Sequence, residues 1–469
     1  MRLAVCATVT CAFALACKSP APALEIIGDA HFDGRRVSLV GARGEILGLR
    51  IEHAGGTVRL ELPGVPTHAF GIDSVKATRA STALFGGGRG AGAYPDILTP
   101  ATNPTYFEID VAGPPGTRTG TLLVGARAIP VELVVVDAEL PQAAPRVWAY
   151  YDPRELAWAK LGAGTIEAPS AHEARCIAMF REHGVVLSPD LTLAAYPARK
   201  PLLGDFPFVP VRLTKDVAKA GEEVRGWIGA TYGSGKLPFA IPIDEPRKPE
   251  ARGKVRALAA AVRAAGGGPS TFMYAVTDEP RPEYLGLVDL YVTLRPTRGD
   301  HFPRWTYNGA PPRAGSLVLD AQAPGPRTWG WIGWRWQIPV WYVWDALYWH
   351  DRHNRKGAPL PGRALDLGNP ITFDDGEDHG NLDGVLALPG DDATPCRPTL
   401  RLAAIRRGMQ DRALIELAAA CDRPSTERVV ERMVPRALGD AGDSPAWPRE
   451  AAAWESARRE LLQIASGCH

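Results

Sequence analysis

The tripeptide Asp-Glu-Pro occurs twice in this 469-residue chain, at Asp244-Glu245-Pro246 and at Asp278-Glu279-Pro280. Each copy follows an apolar run, "LPFAIPI" and "STFMYAVT", that reads as a buried strand. Two neighbouring carboxylates at such a place could share general acid–base work, because each makes the other harder to ionise. Adjacent strand residues point to opposite faces, so both acids reach one pocket only where the strand ends and the chain turns. Pro246 favours that turn by biasing Glu245 away from the helical region. A plainer reading stands beside this one: the acids complement the N-terminus of the following helix, with proline near its first turn. The second pair has a weaker sequel. "RPEYLGLVDLYV" is too short for a good helix before the next strand, so Asp278 and Glu279 read as a surface turn and as the second choice for an acidic site.

Tryptophan gives another signal. Seven of the 13 lie between Trp329 and Trp349. "PRTWGWIGWRWQ" places Arg327, Trp331 and Trp334 on one helical face. "PVWYVWDALYW" reads as a strand with Tyr342 and Trp344 opposite Trp341. Indole faces stack on the apolar C–H surfaces of sugars, and the indole N–H can donate a hydrogen bond. Ordinary core is the other reading of the cluster.

The elements that must position these residues change in texture along the chain. From Leu24 to about Leu140, short β-branched segments separated by Gly and Pro turns predict a β-sandwich over 24–140. The Gly-rich "ALFGGGRGAGAYPD" is followed by no helix of the right kind, so a phosphate loop is not expected. "AELPQAAP" is a linker. After it, strands and helices alternate: "RVWAYYD", "SAHEARCIAMFREHG", "VVLSPDLTLA", "KDVAKAGEEVRGWIGATYGSG", "LPFAIPI", "KPEARGKVRALAAAVRAAGGG", "STFMYAVT", "LVDLYVTLR", and later "SLVLD" and "PVWYVWDALYW". Repeated βα units predict an α/β fold with a (β/α)8 TIM-like barrel over 145–361. That span is tight for a full barrel, so one or two units should be reduced. In such barrels function sits where strands end, which is where Asp244 and Glu245 lie. Residues 362–469 predict a small C-terminal region, with a strand and turn at "NLDGVLALPGD" and two amphipathic helices.

A net charge of +1 makes nucleic acid and anionic membranes poor partners. The apolar "LAVCATVTCAFALA" after Arg2 is too short for a mature span and reads as an export signal over 1–23. Cleavage before Cys17 would give a cell-envelope lipoprotein, its only membrane attachment being the lipid. Cleavage after Ala23 would release a soluble protein. Cys176, Cys396, Cys421 and Cys468 have no metal-ligand spacing; a Cys421–Cys468 disulfide and free buried thiols are both open readings. No metal or other cofactor is expected.

Several segments together resemble glycoside hydrolase family 123 and its uncharacterised bacterial relatives. They are "GAYPDILTP", "GTRTGTLLVGARAIPVELVVVDAELP", "IPIDEP", "WTYNGAP" (with Trp305 and Tyr307), "RTWGWIGWRWQIPVWYVWDALYW", "LDGVLALPGD" and "RPTLRLAAIRRGMQDRALIEL". Each is weak alone; the ordered set spans nearly all of the mature chain. The resemblance implies retaining hydrolysis of β-linked N-acetylhexosaminides, N-acetylgalactosamine in particular, in which the substrate's own acetamide attacks the anomeric carbon. It makes Glu245 the general acid and then base, and Asp244 the residue that orients the acetamide and stabilises the cationic intermediate. Tyr307, with Tyr342 in reserve, would donate to the acetamide carbonyl. Trp305, Trp344, Trp349 and Arg327 would complete a glycan-binding surface. Two other readings remain open: a non-catalytic glycan-binding surface lipoprotein on a degenerate barrel, and a different hydrolase using Asp278 or Glu279.

Overall fold

The computed structural model describes residues 24–350 and 367–468, apart from 54, 143, 163, 164 and 375. The expected leader, with Cys17, and the expected boundary at 361–362 lie outside the described residues or at their edge.

Two five-stranded sheets form the N-terminal part. One holds, in order, Glu25–Gly28, Ile46–Glu52, Tyr106–Asp110, Thr67–Ala77 and Gly92–Thr99. The other holds His31–Phe32, Val37–Arg43, Arg127–Glu139, Gly116–Val124 and Val58–Glu61. Leu47, Leu49 and Ile51 from the first sheet and Ile129, Val131, Leu133 and Val135 from the second share one buried cluster. This is the every-second-residue burial of two packed sheets. Four of these strands were not expected from the sequence: the short Glu25–Gly28 and His31–Phe32 at the start, and the pair Thr67–Ala77 and Gly92–Thr99. Thr67–Ala77 is polar and partly exposed along most of its length, so it lacks the alternation that marks a half-buried strand. Its partner Gly92–Thr99 carries Pro95, opposite a register shift between Asp73 and Ser74.

After the linker comes an eight-stranded sheet, parallel throughout. Its order is Val185–Leu187, Val147–Ala149, Trp341–Val343, Arg304–Tyr307, Leu290–Val292, Met273–Val276, Leu237–Ala240 and Phe208–Pro210. The sheet is curled. Trp148 meets Phe239 at 5.1 Å, and Phe239 meets Trp305 at 4.8 Å, although none of the three strands neighbours another in the ladder. Just beyond the two edge strands, Leu191 and Val211 form a parallel bridge. There the Leu191 N–H donates to Pro210 O and the Arg212 N–H donates to Leu191 O, both at 2.9 Å.

The expected shortening falls on helices rather than strands. Ala171–Glu182, capped by a reciprocal Ser170/Glu173 box, Val217–Thr231 and Pro249–Ala264 are full helices. Only the short turn Pro282–Tyr284 follows the Met273–Val276 strand, and no helix separates Leu290–Val292 from Arg304–Tyr307. "SLVLD" is a turn and not the expected strand. Asp320, fully buried, accepts the Ser81 hydroxyl at 2.6 Å and the Ser81 amide at 2.9 Å. That segment therefore fastens the Gly-rich loop of the sandwich instead of joining the sheet.

The C-terminal region has two hairpins, Ile371–Asp374 with His379–Asn381 and Ala387–Pro389 with Cys396–Pro398. Three helices follow: Leu400–Cys421, Arg423–Met433 and Ala451–Ser466. The first was expected to be amphipathic, yet it is buried on most faces, arginines included. It lies between the sandwich and the curled sheet, so it has little solvent face to offer. Gly330 lets the helix Thr328–Arg335 meet it, since a Cβ there would collide with the Gly408 carbonyl. Each buried arginine is paired, as burial of a charge requires. Arg401 meets Asp96 at 2.8 Å, Arg407 meets Glu45 at 2.7 Å, Arg406 meets Glu108, and Arg412 donates to Ile338 O at 2.6 Å. From the last helix, Arg458 also reaches Glu45, at 3.1 Å. Cys421 is bonded to Cys468, the first of the two readings left open by the sequence. Cys176 is bonded to Cys396, tying the helix Ala171–Glu182 to the second hairpin.

Glu45 is the hub of this junction, fully buried and bonded to two arginines and to the Ala42 N–H. Glu45→Gln leaves Arg407 and Arg458 undercompensated and should cost about 3–5 kcal/mol. Urea denaturation of the full chain checks this; a loss below about 1 kcal/mol would place the junction's stability elsewhere.

Candidate active site

Four aromatic rings fill the inside of the curled sheet: Trp148, Phe208, Phe239 and Trp305. The next inward positions along these strands, towards their C-terminal ends, carry the polar groups. Two residues after Trp305 comes Tyr307. From the neighbouring strand, Tyr342 stacks on Trp148 at 4.5 Å and 19°.

Asp244 and Glu245 follow the strand Leu237–Ala240. They are not the cap of the next helix. That helix starts at Pro249, its N-cap is Lys248, and the acid in its first turn is Glu250. The plainer reading of the first pair is thereby removed. Glu245 instead sits at φ +39°, a left-handed conformation that a glutamate holds only when its surroundings compel it. The compelling group is Thr277, at the end of the adjacent strand. Its hydroxyl accepts the Glu245 N–H at 2.6 Å and donates to Asp244 Oδ1 at 2.8 Å. The turn thus brings both carboxylates to one cleft, which an extended strand cannot do.

Two phenols face the pair. The Tyr307 hydroxyl donates to Glu245 Oε1 at 3.3 Å. Burial, then the charges of Glu245 and Asp244, push its ionisation far above the ordinary phenol range. Burial, then Asp190 and Asp244, do the same to Tyr342. Both remain neutral hydrogen-bond donors at any working pH. Arg247, 80% exposed, reaches back to Glu245 Oε2 at 2.5 Å.

Trp344 stands beside this cleft and is half-buried. Its amide donates to Asn308 Oδ1 at 3.3 Å and its indole N–H to Asp383 Oδ2 at 2.8 Å. Other expected contacts are absent from the cleft. Trp305 is packed between Phe208 and Phe239, and Trp349 is 1% exposed with its N–H on Ala387 O. Arg327 is buried against Asp411 at 2.8 Å, where Trp331 also donates. These three hold the core and the junction together and do not reach a ligand. Five of the seven clustered tryptophans are fully buried, which corrects the expectation of a sugar-stacking surface.

The second acidic pair is held by its own turn. Asp278 is clamped by Arg281 at 2.6 and 2.9 Å and accepts from the Tyr284 hydroxyl at 3.2 Å. Glu279 accepts the Thr293 hydroxyl. Among the described residues, no group of three or more His, Cys, Asp or Glu side chains could hold a metal ion.

Two acids were missed by sequence reasoning. Asp190 follows the strand Val185–Leu187, the same strand-end position that singled out Asp244, and the "SPD" segment was the available signal. Burial pushes its carboxyl up to about 7, against the opposing charge of Arg212. Asp383, the acceptor of the Trp344 indole, is pushed up to about 6, by burial first and against that hydrogen bond. No local feature marked it.

Asp190 carries a pH prediction. Its folded value lies above that of an unfolded aspartate, about 3.9. The folded state therefore binds the extra proton between about pH 4 and 7. Ionisation opposes folding, so this contribution makes stability fall as pH rises through that window. Asp190→Asn should flatten the fall and stabilise the protein above pH 7. Thermal melts from acid to neutral pH check this, and identical pH profiles for variant and wild type would refute it.

No family model matches the sequence, and no curated protein does either. Among solved structures, a family 123 glycoside hydrolase from Clostridium perfringens, described for glycolipid glycan hydrolysis, matches with a TM-score of 0.60 at 10% identity. The match covers 95% of this chain and 98% of that one. A family 2 glycosyl hydrolase from Bacteroides cellulosilyticus, at 9% identity, covers 68% of this chain and 45% of its own, with a TM-score of 0.27 too low to carry weight. Over nearly its whole length, then, this chain has the fold of a family 123 glycoside hydrolase, the family its ordered motifs resemble.

Proposed function

We propose that this protein is a retaining glycoside hydrolase that cleaves β-linked N-acetylhexosaminides, N-acetylgalactosamine-type in particular, with the substrate's acetamide as nucleophile. The observation that carries the reading is the Asp244–Glu245 turn. It aims two consecutive carboxylates into one cleft at the C-terminal end of a parallel sheet. The parallel bridge between Leu191 and Val211 supports a closed (β/α)8 barrel, in which that end is where chemistry is placed.

In this scheme Glu245 protonates the glycosidic oxygen as the anomeric bond breaks. It then takes a proton from the water that opens the oxazolinium-like intermediate. Asp244, fixed by Thr277, accepts the acetamide N–H and stabilises the positive charge that develops there. Tyr307 or Tyr342, each a neutral donor, supplies the hydrogen bond to the acetamide carbonyl. Arg247, largely exposed, would have to release Glu245 when substrate enters. The burial of the tryptophan cluster takes away the main support for a purely glycan-binding protein.

Export belongs to the same proposal. Two disulfides suit an oxidising compartment, and the expected leader would deliver the chain there, either lipidated at Cys17 or released after Ala23.

An alkyl β-N-acetylgalactosaminide is the probe, because its poor leaving group depends on the acid. Glu245→Gln should slow its hydrolysis by about 10²–10⁴-fold. Glu279→Gln should leave it near the wild-type rate. Equal losses in both variants, or full activity in Glu245→Gln, would remove Glu245 from the acid role.

A further inference from the structure

Asp190 has no part in the scheme above, nor does its side chain hold the fold. It follows the strand Val185–Leu187, and the backbone on both sides of it is fastened. The Ser188 N–H donates to Ala149 O at 3.0 Å, and the Trp148 indole N–H donates to Ser188 O at 3.2 Å. Beyond Asp190, the Leu191 N–H donates to Pro210 O at 2.9 Å. None of these bonds uses the Asp190 carboxyl. Among the described residues nothing donates a hydrogen bond to it, and the residue is half-buried, so part of it stays open. Arg212, itself exposed, acts on it by charge alone. An acid that opposes folding when it ionises and braces nothing belongs to a site rather than to a scaffold.

Tyr342 joins Asp190 to the Asp244–Glu245 turn. Its ring stacks on Trp148, whose indole holds the Ser188 carbonyl two residues before Asp190. On the other side, Tyr342 is in register with Tyr307 on the neighbouring strand. The charges that act on the two phenols give the order across the cleft. After burial, Tyr307 feels Glu245 and then Asp244, whereas Tyr342 feels Asp190 and then Asp244. Glu245 and Tyr307 therefore lie at one end, Asp244 between, and Tyr342 and Asp190 at the other.

This order follows the ring of the proposed substrate. Glu245 acts at the oxygen on the first ring carbon, and Asp244 at the acetamide on the second. The third and fourth carbons come next, and each carries a hydroxyl. A carboxyl that accepts no bond from the protein can take two neighbouring hydroxyls, and bonds to a carboxylate are stronger than neutral ones. The charge of Arg212 already offsets part of that of Asp190, which suits a neutral hydroxyl better than a cation.

Resting on the glycoside-hydrolase reading, we propose that Asp190 is a specificity residue of the sugar site and accepts the third- or fourth-carbon hydroxyl, or both, of the sugar whose bond is cut. A hydroxyl held there cannot carry a further sugar. Cleavage is thereby confined to sugar residues that are terminal at that position.

The probes are methyl β-N-acetylgalactosaminide and its 3-deoxy, 4-deoxy and 6-deoxy analogues. Binding is measured by calorimetry on the full chain carrying Glu245→Gln, so that it does not depend on turnover. The 3-deoxy or the 4-deoxy probe should bind about tenfold more weakly than the parent, as loss of one bond to a charged group gives, and the 6-deoxy probe should bind like the parent. Adding Asp190→Ala should weaken the parent by a similar factor and abolish the deoxy penalty, which a merely structural role would leave in place. A thermal melt confirms the fold. If Asp190→Ala melts early, Asp190→Asn keeps the shape without the charge and should shrink the penalty. A deoxy penalty of equal size with and without the Asp190 carboxylate, a penalty confined to the 6-deoxy probe, or no binding of any probe would overturn the proposal. Wild-type hydrolysis of the parent glycoside judges the hydrolase reading separately: its absence, with the coupling to Asp190 intact, would defeat that reading and keep Asp190 as a sugar ligand.

Discussion

The Thr277 hydroxyl accepts the amide of Glu245 and donates to the carboxylate of Asp244. Through these two bonds one side chain fixes a backbone turn and the orientation of an acid together. Without it, a glutamate at φ +39° would relax toward the extended region and turn one carboxylate out of the cleft. Thr277 can do this only because the strands Leu237–Ala240 and Met273–Val276 are paired in parallel, which brings both strand ends to the same edge. Parallel pairing, the aromatic filling below and the acidic pair above are linked consequences of one arrangement.

That arrangement is braced from outside by charge. A helix that runs between the sandwich and the curled sheet carries four buried arginines, and their partners come from every part of the chain. Asp96, Glu108 and Glu45 belong to the sandwich, Ile338 to the segment before the last strand of the curled sheet, and Asp411 to the helix itself. Burial alone would favour a protonated Asp411, but the charges of Arg327 and Arg407 overcome it and hold its carboxyl below the usual range. Such pairs add little net stability over apolar packing, but each tolerates only its own partner. They fix how the sandwich sits on the sheet, and with it the position of the Gly-rich loop beside Tyr307.

Much of this was legible in the sequence where the signal is local. The strand texture marked the sandwich, the alternation of strand and helix marked the parallel sheet, and the short span foretold reduced units. Asp244-Glu245 stood out because an apolar run, two acids and a proline are contiguous. What was not legible depends on distance along the chain. Thr277 lies 32 residues from Glu245 and is ordinary as a residue type. Asp190 shares the strand-end logic of Asp244 but has no neighbouring acid, so a search for pairs passed over it. Tryptophan is ambiguous in principle, because an indole that fills a core and one that stacks on a sugar look alike in sequence. Trp305 and Trp349 proved to be the first kind. The long arginine-rich helix misled for a related reason: arginines suggest solvent unless their partners, in this case up to 362 residues away, are known.

The central claim is that the Asp244–Glu245 turn serves a reaction in which the substrate's acetamide is the nucleophile. The stereochemistry of the first sugar released tests this most directly. Proton NMR during hydrolysis of a β-N-acetylgalactosaminide follows the anomeric signal before mutarotation sets in. The account predicts that the β-anomer appears first. Initial release of the α-anomer, or no release of sugar at all, would contradict it.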